Sequence, residues 1–155
     1  MNAISIEKTF FWILNQYIVV PAFKRGLGKL ISNPLTGSIM VLGTIGRKTG
    51  EGRYTPVNYA IIAGNIYCYQ GRRLKGSWYL NILANPQVEV LLPGRTLIGY
   101  AEEVKDEKEA VYAIRQILKA AGLGGFVYGF NPFNAADNVI REITEGIPVI
   151  RIKLL

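Results

Sequence analysis

Histidine is absent from this 155-residue chain. That absence removes Ser-His and Cys-His catalytic pairs and argues against an ordinary zinc site. There is one cysteine, Cys68, so no intrachain disulfide can form and a reducing compartment is expected. Cys68 stands in the apolar run "NIYCYQ" and reads as a core thiol. Charge is sparse, at 19% of residues, and unbalanced, with a net of +7. The positive balance points to an anionic partner such as phosphate, nucleic acid or a lipid surface. No repeat, linker or break in composition divides the sequence, so one domain is expected over residues 1–155. With half of the residues hydrophobic, a packed core is expected rather than disorder.

Long hydrophobic runs are also missing. The most apolar segment, "FFWILNQYIVVPAF" (10–23), is interrupted by Asn15, Gln16 and Pro21. It is shorter than the roughly 20 residues a spanning helix needs. Without a basic n-region or a small-x-small cleavage site it does not read as a signal peptide. Lys24, Arg25 and Lys29 come soon after it. Residues 4–20 read as a helix stopped near Pro21, and residues 1–25 as a helical extension of the domain. Ile4, Phe11 and Ile18 fall on one face, which either packs on the domain or lies on a membrane surface as an interfacial helix.

Strands dominate the remainder of the chain. "SIMVLGT" suits a pleat through its β-branched residues. "TPVNYAIIAG" reads as a second strand, turning at Gly64-Asn65 into "IYCYQ". "GSWYLNILANP" reads as a short helix, with Trp78, Ile82 and Leu83 at helical spacing, ended before Pro86. "QVEVLL" and "TLIGYAEEV" form a hairpin around "PGR". "DEKEAVYAIRQILKA" is an amphipathic helix with acids in its first turn and Lys119 in its last. "AGLGGFVYGFNPFNAADN" reads as a flexible aromatic loop, and "IPVIRIKLL" as a closing strand. Hairpin-linked strands with a few helices imply an α+β fold whose antiparallel sheet closes on itself as a barrel.

The unusual stretch is "GTIGRKTGEGRYTP" (43–56), four glycines with Arg47, Lys48 and Arg53 between two strands. Glycines allow close backbone approach, and successive loop amides can form an anion nest. Arg supplies a planar fork, Lys a point charge and Thr49 a hydroxyl. The pattern fits a phosphate cradle, with a solvated basic hairpin tip as the rival reading. It is neither a Walker A loop nor a G-x-G-x-x-G turn.

"GTIGRKTGEGRYTPVNYA" and, after it, "GSWYLNILANPQVEVLLPGR" together resemble the deazaflavin-dependent nitroreductases, also called F420H2-dependent quinone reductases. The resemblance covers roughly residues 35–104, and "IPVIRIKLL" is similar to the family's last strand. It implies a split β-barrel related to FMN-binding proteins, and a reductase passing a hydride from F420 to a quinone, nitro compound or similar acceptor. It further implies that Gly46, Arg47, Lys48, Thr49 and Arg53 grip the cofactor's phosphate and acidic tail. Tyr54, Thr55, Pro56 and Val57 would lie along the deazaflavin or its ribityl chain, with Gln70 and Gly71 beside it. Trp78 and Asn81 match the family's W-x-x-N motif, which implies that Trp78 packs on the loop and Asn81 hydrogen-bonds near the tail; by itself Trp78 reads rather as core, and Asn81 equally as a local cap or turn partner. Where many relatives carry "SKGG" or "SxGG" before the tryptophan, this chain has "YQGRRLKGSW", with Arg72, Arg73 and Lys75 nearby.

Hydride transfer to such an acceptor requires a proton as well. Without histidine, the candidate donors are Tyr54, Tyr59, Tyr128 and solvent. Tyr128 is favoured because "FVYGFNPF" (126–133) can cover an apolar pocket; simple packing of Tyr128 is the alternative. Rival functions are a split barrel using FMN, heme or another cofactor, and a non-enzymatic binder of lipid or fatty acid. Nucleic acid is not expected as a partner, because the cations cluster at a glycine loop rather than along an aromatic strand face. No metal is expected, the location is expected to be cytoplasmic, and the oligomer is left as monomer or homodimer.

Overall fold

The computed structural model describes residues 15–32, 37–71 and 76–155. Residues 4–14 of the expected N-terminal helix, and Arg72, Arg73 and Lys75, lie outside the described residues.

A π-helical turn, Asn15–Val19, runs into helix α1, Val20–Lys24. Strand β1 spans Ile39–Ile45, β2 Gly52–Asn58, β3 Ala60–Ile62 and β4 Asn65–Tyr69. Helix α2 is Ser77–Ala84, ahead of β5 Gln87–Leu92 and β6 Arg95–Glu103. Helix α3 is Glu107–Lys119, α4 is Asp137–Ile143, and β7 is Val149–Leu154.

The strands form one seven-stranded antiparallel sheet in the order β2-β1-β5-β6-β7-β4-β3. The two edge strands, β2 and β3, are consecutive in sequence and separated only by Tyr59. One bent segment therefore pairs with β1 at one edge and with β4 at the other, so the sheet curls into a half-barrel closed by the chain itself. The sequence reads 55–64 as one strand. The break arises because Tyr59 leaves the ladder: its amide donates to Ser38 O (3.2 Å), while the Asn58 side chain donates to the same oxygen.

Alternation divides the sheet into two faces. Met40, Leu42, Ile66, Cys68, Val88 and Val90 turn inward and form the main core with Trp78 and Ile82 of α2. Leu83 is exposed, so the buried stripe of α2 excludes it. Helix α2 stops at Ala84 because Asn85, ahead of Pro86, is extended. On the outer face, Val41 and Leu91 pack against Val20 and Phe23 of α1. A second cluster joins Tyr67 and Val149 to Val111, Ile114, Ile117 and Leu118 of α3. Asp106 caps α3, its side chain accepting from Lys108 N (2.9 Å).

Three sequence expectations are corrected. Pro21 does not stop the first helix; it sits in the first turn of α1, where no amide donor is required. The turn after β3 is Ala63-Gly64, both at positive φ (51° and 81°); this is the primed geometry that matches strand twist, and Asn65 already belongs to β4. The segment 121–138 is not simply loop: it contains a 3₁₀ turn at Gly122–Phe126 and leads into α4.

Candidate functional site

β1 and β4 run in the same direction, since three strands separate them in an alternating antiparallel order. The loop after β1 and the residues after β4 therefore emerge at one end of the barrel, where α2 also lies against β1.

The loop itself is a tight hairpin. Gly46 N donates to Glu51 O (2.7 Å) and Gly50 N to Gly46 O (2.8 Å). Thr49 Oγ1 accepts from Glu51 N (3.2 Å) and Arg53 Nη2 (3.4 Å). Gly50 has φ +74°, and a Cβ on Gly46 would approach Thr49 Oγ1 to 2.9 Å, so both positions favour glycine. Arg47, Lys48, Thr49 and Arg53 are exposed. Among the described residues no hydrogen bond engages the amides of Lys48 and Thr49.

Beneath the loop lies Asn81. Its Oδ1 accepts from Arg47 N (3.2 Å) and Arg47 Nη1 (3.0 Å), and its Nδ2 donates to the buried Thr44 Oγ1 (3.2 Å). Asn81 is 4% exposed and Thr44 2%, so this polar pair holds the loop from inside. Sequence reasoning does not single out Thr44; its signal is a hydroxyl at the end of the apolar run "IMVLGT".

Strand register separates the remaining candidates. Thr44, Leu42 and Met40 stand opposite Arg53, Thr55 and Val57, which share the inner face. Val57 packs on the main core. Tyr54 and Pro56 stand opposite Gly43 and Val41 and point to the outer face. There the Tyr54 hydroxyl donates to Glu89 Oε2 (3.1 Å), Lys24 Nζ lies 3.9 Å from its ring centre, and its carbonyl accepts from Gln16 Nε2 (2.9 Å). Burial, with Glu89 adding to it, raises the Tyr54 pKa. A Cβ on Gly43 would meet the Tyr54 ring at 2.9 Å. Tyr54 is thus a docking point for the N-terminal segment, apart from the inner-face group.

Gln70 is buried, and its amide N donates to Pro148 O (3.0 Å). Its side chain lies flat on Gly76, where a Cβ would fall 1.8 Å from Gln70 Nε2. Gly71 is exposed beside Tyr128, whose hydroxyl would lie 3.4 Å from a Cβ at Gly71. The Tyr128 ring stacks on Phe130 (6.3 Å, 14°) and tilts against Tyr69 (6.2 Å, 55°). Burial, then the Tyr128 hydroxyl, raises the Tyr69 pKa. Burial likewise raises the pKa of Tyr59, which packs at the main core. Trp78 is buried in that core.

One end of the barrel therefore combines an exposed cationic loop with Gln70, Gly71 and the paired rings of Tyr69 and Tyr128. Residues 17–125 match the F420H2-dependent quinone reductase family. The chain belongs to that family. It is an F420H2-dependent oxidoreductase, with F420 as cofactor and the split-barrel fold. The chain is 25% identical to an F420-H2 dependent reductase, FDR-A, covering 79% of this chain and 99% of that one at TM-score 0.51. A conserved hypothetical protein of Mycobacterium tuberculosis superposes with TM-score 0.60 at 19% identity, over 77% and 74% of the two chains. HutZ, the heme storage protein of Vibrio cholerae, superposes with TM-score 0.55 at 11% identity, over 88% and 90%. These last two share the fold.

The residues fit the cofactor. F420 carries a phosphate and an acidic tail, and the loop offers two arginines and a lysine, with Glu51 as its one acid. Glu51 is itself beside Arg53 (3.6 Å).

Proposed function

We propose that Arg47, Lys48, Thr49 and Arg53 hold the phosphate and acidic tail of F420, while Thr55, Val57, Gln70 and Gly71 flank the deazaflavin. The observation that carries this reading is the Asn81 bridge between Thr44 and Arg47. A buried amide bonded to a surface loop fixes Arg47 before any ligand arrives, which lowers the ordering cost of binding. Reduced F420, when bound, supplies a hydride from C5.

The acceptor is a small apolar molecule, a quinone or a nitro compound. It enters beside Tyr128, whose ring stacks on Phe130. An acceptor that takes a hydride also takes a proton, and the Tyr128 hydroxyl gives it at the mouth of the site. Tyr69, whose ring tilts against that of Tyr128, helps to orient that hydroxyl. Tyr54 keeps the N-terminal segment on the outer face instead.

The test is a titration of the full-length protein with F420 and with FMN at the same salt concentration. Tighter binding of F420 is expected, because the loop provides for a tail as well as a phosphate. Equal or tighter binding of FMN sinks the reading.

A peripheral membrane contact is a second part of the proposal. Among the described residues no helix is long and apolar enough to cross a membrane. Val20 and Phe23 are taken up by the barrel, yet Tyr17 and Ile18 are 70% and 56% exposed, with Lys24, Arg25 and Lys29 close behind. Exposed apolar residues beside cations suit an anionic bilayer surface. The full chain is expected to sediment with anionic vesicles at low salt, whereas a chain starting near Gly26 is not. A full chain left in the supernatant defeats this contact.

A further inference from the structure

The loop that carries Tyr128 is held by burial only in part, at Phe130 and Pro132. Phe126, Val127 and Phe133 are 50%, 68% and 62% exposed, and Gly129, at φ +82°, adds backbone freedom. A segment with outward apolar side chains and glycines loses conformational entropy on ordering, and two buried residues recover only part of it. Anchors at its two ends add to that packing.

At its start, Gly125 lies directly on α3: a Cβ there would be 2.3 Å from Leu118 O. At its end stands Arg115, also on α3. Nη1 donates to Pro132 O (2.9 Å), and Nη2 donates to Ala135 O (2.5 Å) and Asp137 Oδ1 (2.7 Å). The Arg115 side chain is only 17% exposed, and Pro132 is fully buried. Two of the three acceptors are backbone carbonyls, so the fork grips the path of the chain rather than a movable side chain. Between the two anchors, Tyr128 and Phe130 turn inward, stacked on each other, with Tyr128 against Tyr69.

We propose that Arg115 is a positioning residue for acceptor turnover: by clamping Pro132 and Ala135 to α3 it holds the Tyr128 hydroxyl beside Gly71. The inference rests on Tyr128 acting as the proton donor to the acceptor. Arg115 itself touches neither acceptor nor cofactor. A lysine offers a single ammonium in place of the fork, so it can restore part of the clamp but not its two-pronged geometry.

The experiment uses the full-length protein with reduced F420 and menadione as the quinone probe. The variants are Arg115→Ala, Arg115→Lys, Tyr128→Phe and the Arg115→Ala/Tyr128→Phe double. Arg115→Ala is expected to lower kcat with menadione about 10-fold and leave KM within about 2-fold, because a displaced proton donor is lost in the transition state. F420 affinity is expected to stay within about 2-fold, because the Arg115 fork bonds residues 132–137 and not the cationic loop. Arg115→Lys is expected to fall between wild type and Arg115→Ala, and it serves as the main variant if Arg115→Ala does not fold. On the Tyr128→Phe background, Arg115→Ala is expected to add little, since both act through one hydroxyl. Amides 126–135 are expected to exchange hydrogen faster in either Arg115 variant. If Tyr128→Phe is costly and the Arg115 variants are silent, the clamp is refuted and the role of Tyr128 stands. If Tyr128→Phe is silent, the role of Tyr128 falls and the clamp's function falls with it. Full additivity in the double variant likewise overturns the proposal.

Discussion

Asn81 binds Arg47 twice, its Oδ1 accepting from both the backbone amide and the guanidinium, while its Nδ2 donates to the buried hydroxyl of Thr44. An alanine at position 81 leaves that hydroxyl and the loop amide without partners. Of the two only the Thr44 hydroxyl is buried, and leaving a buried group unpaired costs about 1–3 kcal/mol. Asn81→Ala is therefore expected to lower unfolding stability by about 1–3 kcal/mol and to weaken F420 binding by roughly 10-fold as the loop loosens. Denaturant unfolding and cofactor titration check the two effects separately. Unchanged affinity in a destabilised variant confines Asn81 to folding.

The loop cations make a different prediction. Arg47 and Lys48 are exposed, so replacing both by alanine is expected to leave the melting temperature nearly unchanged. Each exposed ion pair is worth up to about 1 kcal/mol, so F420 affinity is expected to fall by up to roughly 30-fold. Wild-type affinity is expected to decline as salt rises, because screening weakens such pairs. The double variant is expected to show a shallower salt dependence in the same titration.

Gly76 tests the packing of Gln70. Any side chain at Gly76 collides with the Gln70 amide, a Cβ lying 1.8 Å from Nε2 and 2.0 Å from Cδ. Gly76→Ala is expected to cost about 1–3 kcal/mol, the range for overpacking a filled site. If Gln70 flanks the deazaflavin, the same variant is expected to weaken F420 binding while leaving the salt dependence at its wild-type slope. A stable Gly76→Ala protein with normal affinity contradicts both expectations.

Alkaline pH is expected to destabilise the fold. Burial pushes the Cys68 thiol up to about 12 and raises Tyr54, Tyr59, Tyr67, Tyr69 and Tyr79. A thiol with a raised folded pKa keeps its proton in the native state and loses it more readily on unfolding. Its stabilising share is complete below the unfolded pKa of about 9 and is lost as pH rises toward 12. The slope is up to about 1.4 kcal/mol per pH unit for each such group. Cys68→Ala is expected to flatten the onset of this alkaline limb in denaturant melts taken from pH 8 to 11. In the native protein, thiol reagent at pH 8 is expected to label Cys68 only after denaturant is added.

The N-terminal segment gives a last prediction. Phe23 is buried against Val41, Leu91 and Val20. Phe23→Ala is expected to cost about 3–5 kcal/mol in global unfolding if α1 unfolds with the barrel. Two separate transitions, with only the first affected, would show that the segment is an independent appendage.

Much of the site's chemistry is legible in the sequence because it is local. The glycines and cations of 43–56 lie within one turn, and "WYLNILANP" states its own helix and stop. Trp78 carries two readings in sequence, and the fold buries it in the core. Helix α4 escapes the sequence because its seven residues come after a glycine- and aromatic-rich segment that carries no helical period.

Sequence alone settles most of the segments that pleat, where the charge gathers and which family the chain resembles. Composition, alternation and turn residues act over a few positions, and each can be read where it stands. The face that each strand presents is settled by tertiary pairing. Period-two alternation separates Thr55 from Tyr54 but does not say which of them looks inward; pairing with β1 does, and it turns Tyr54 toward α1. Asn81 and Arg47 are 34 residues apart, and Arg115 and Pro132 are 17 apart. Bonds of that span arise from how the sheet curls between β2 and β3 and how α3 packs on it, and no local pattern encodes them.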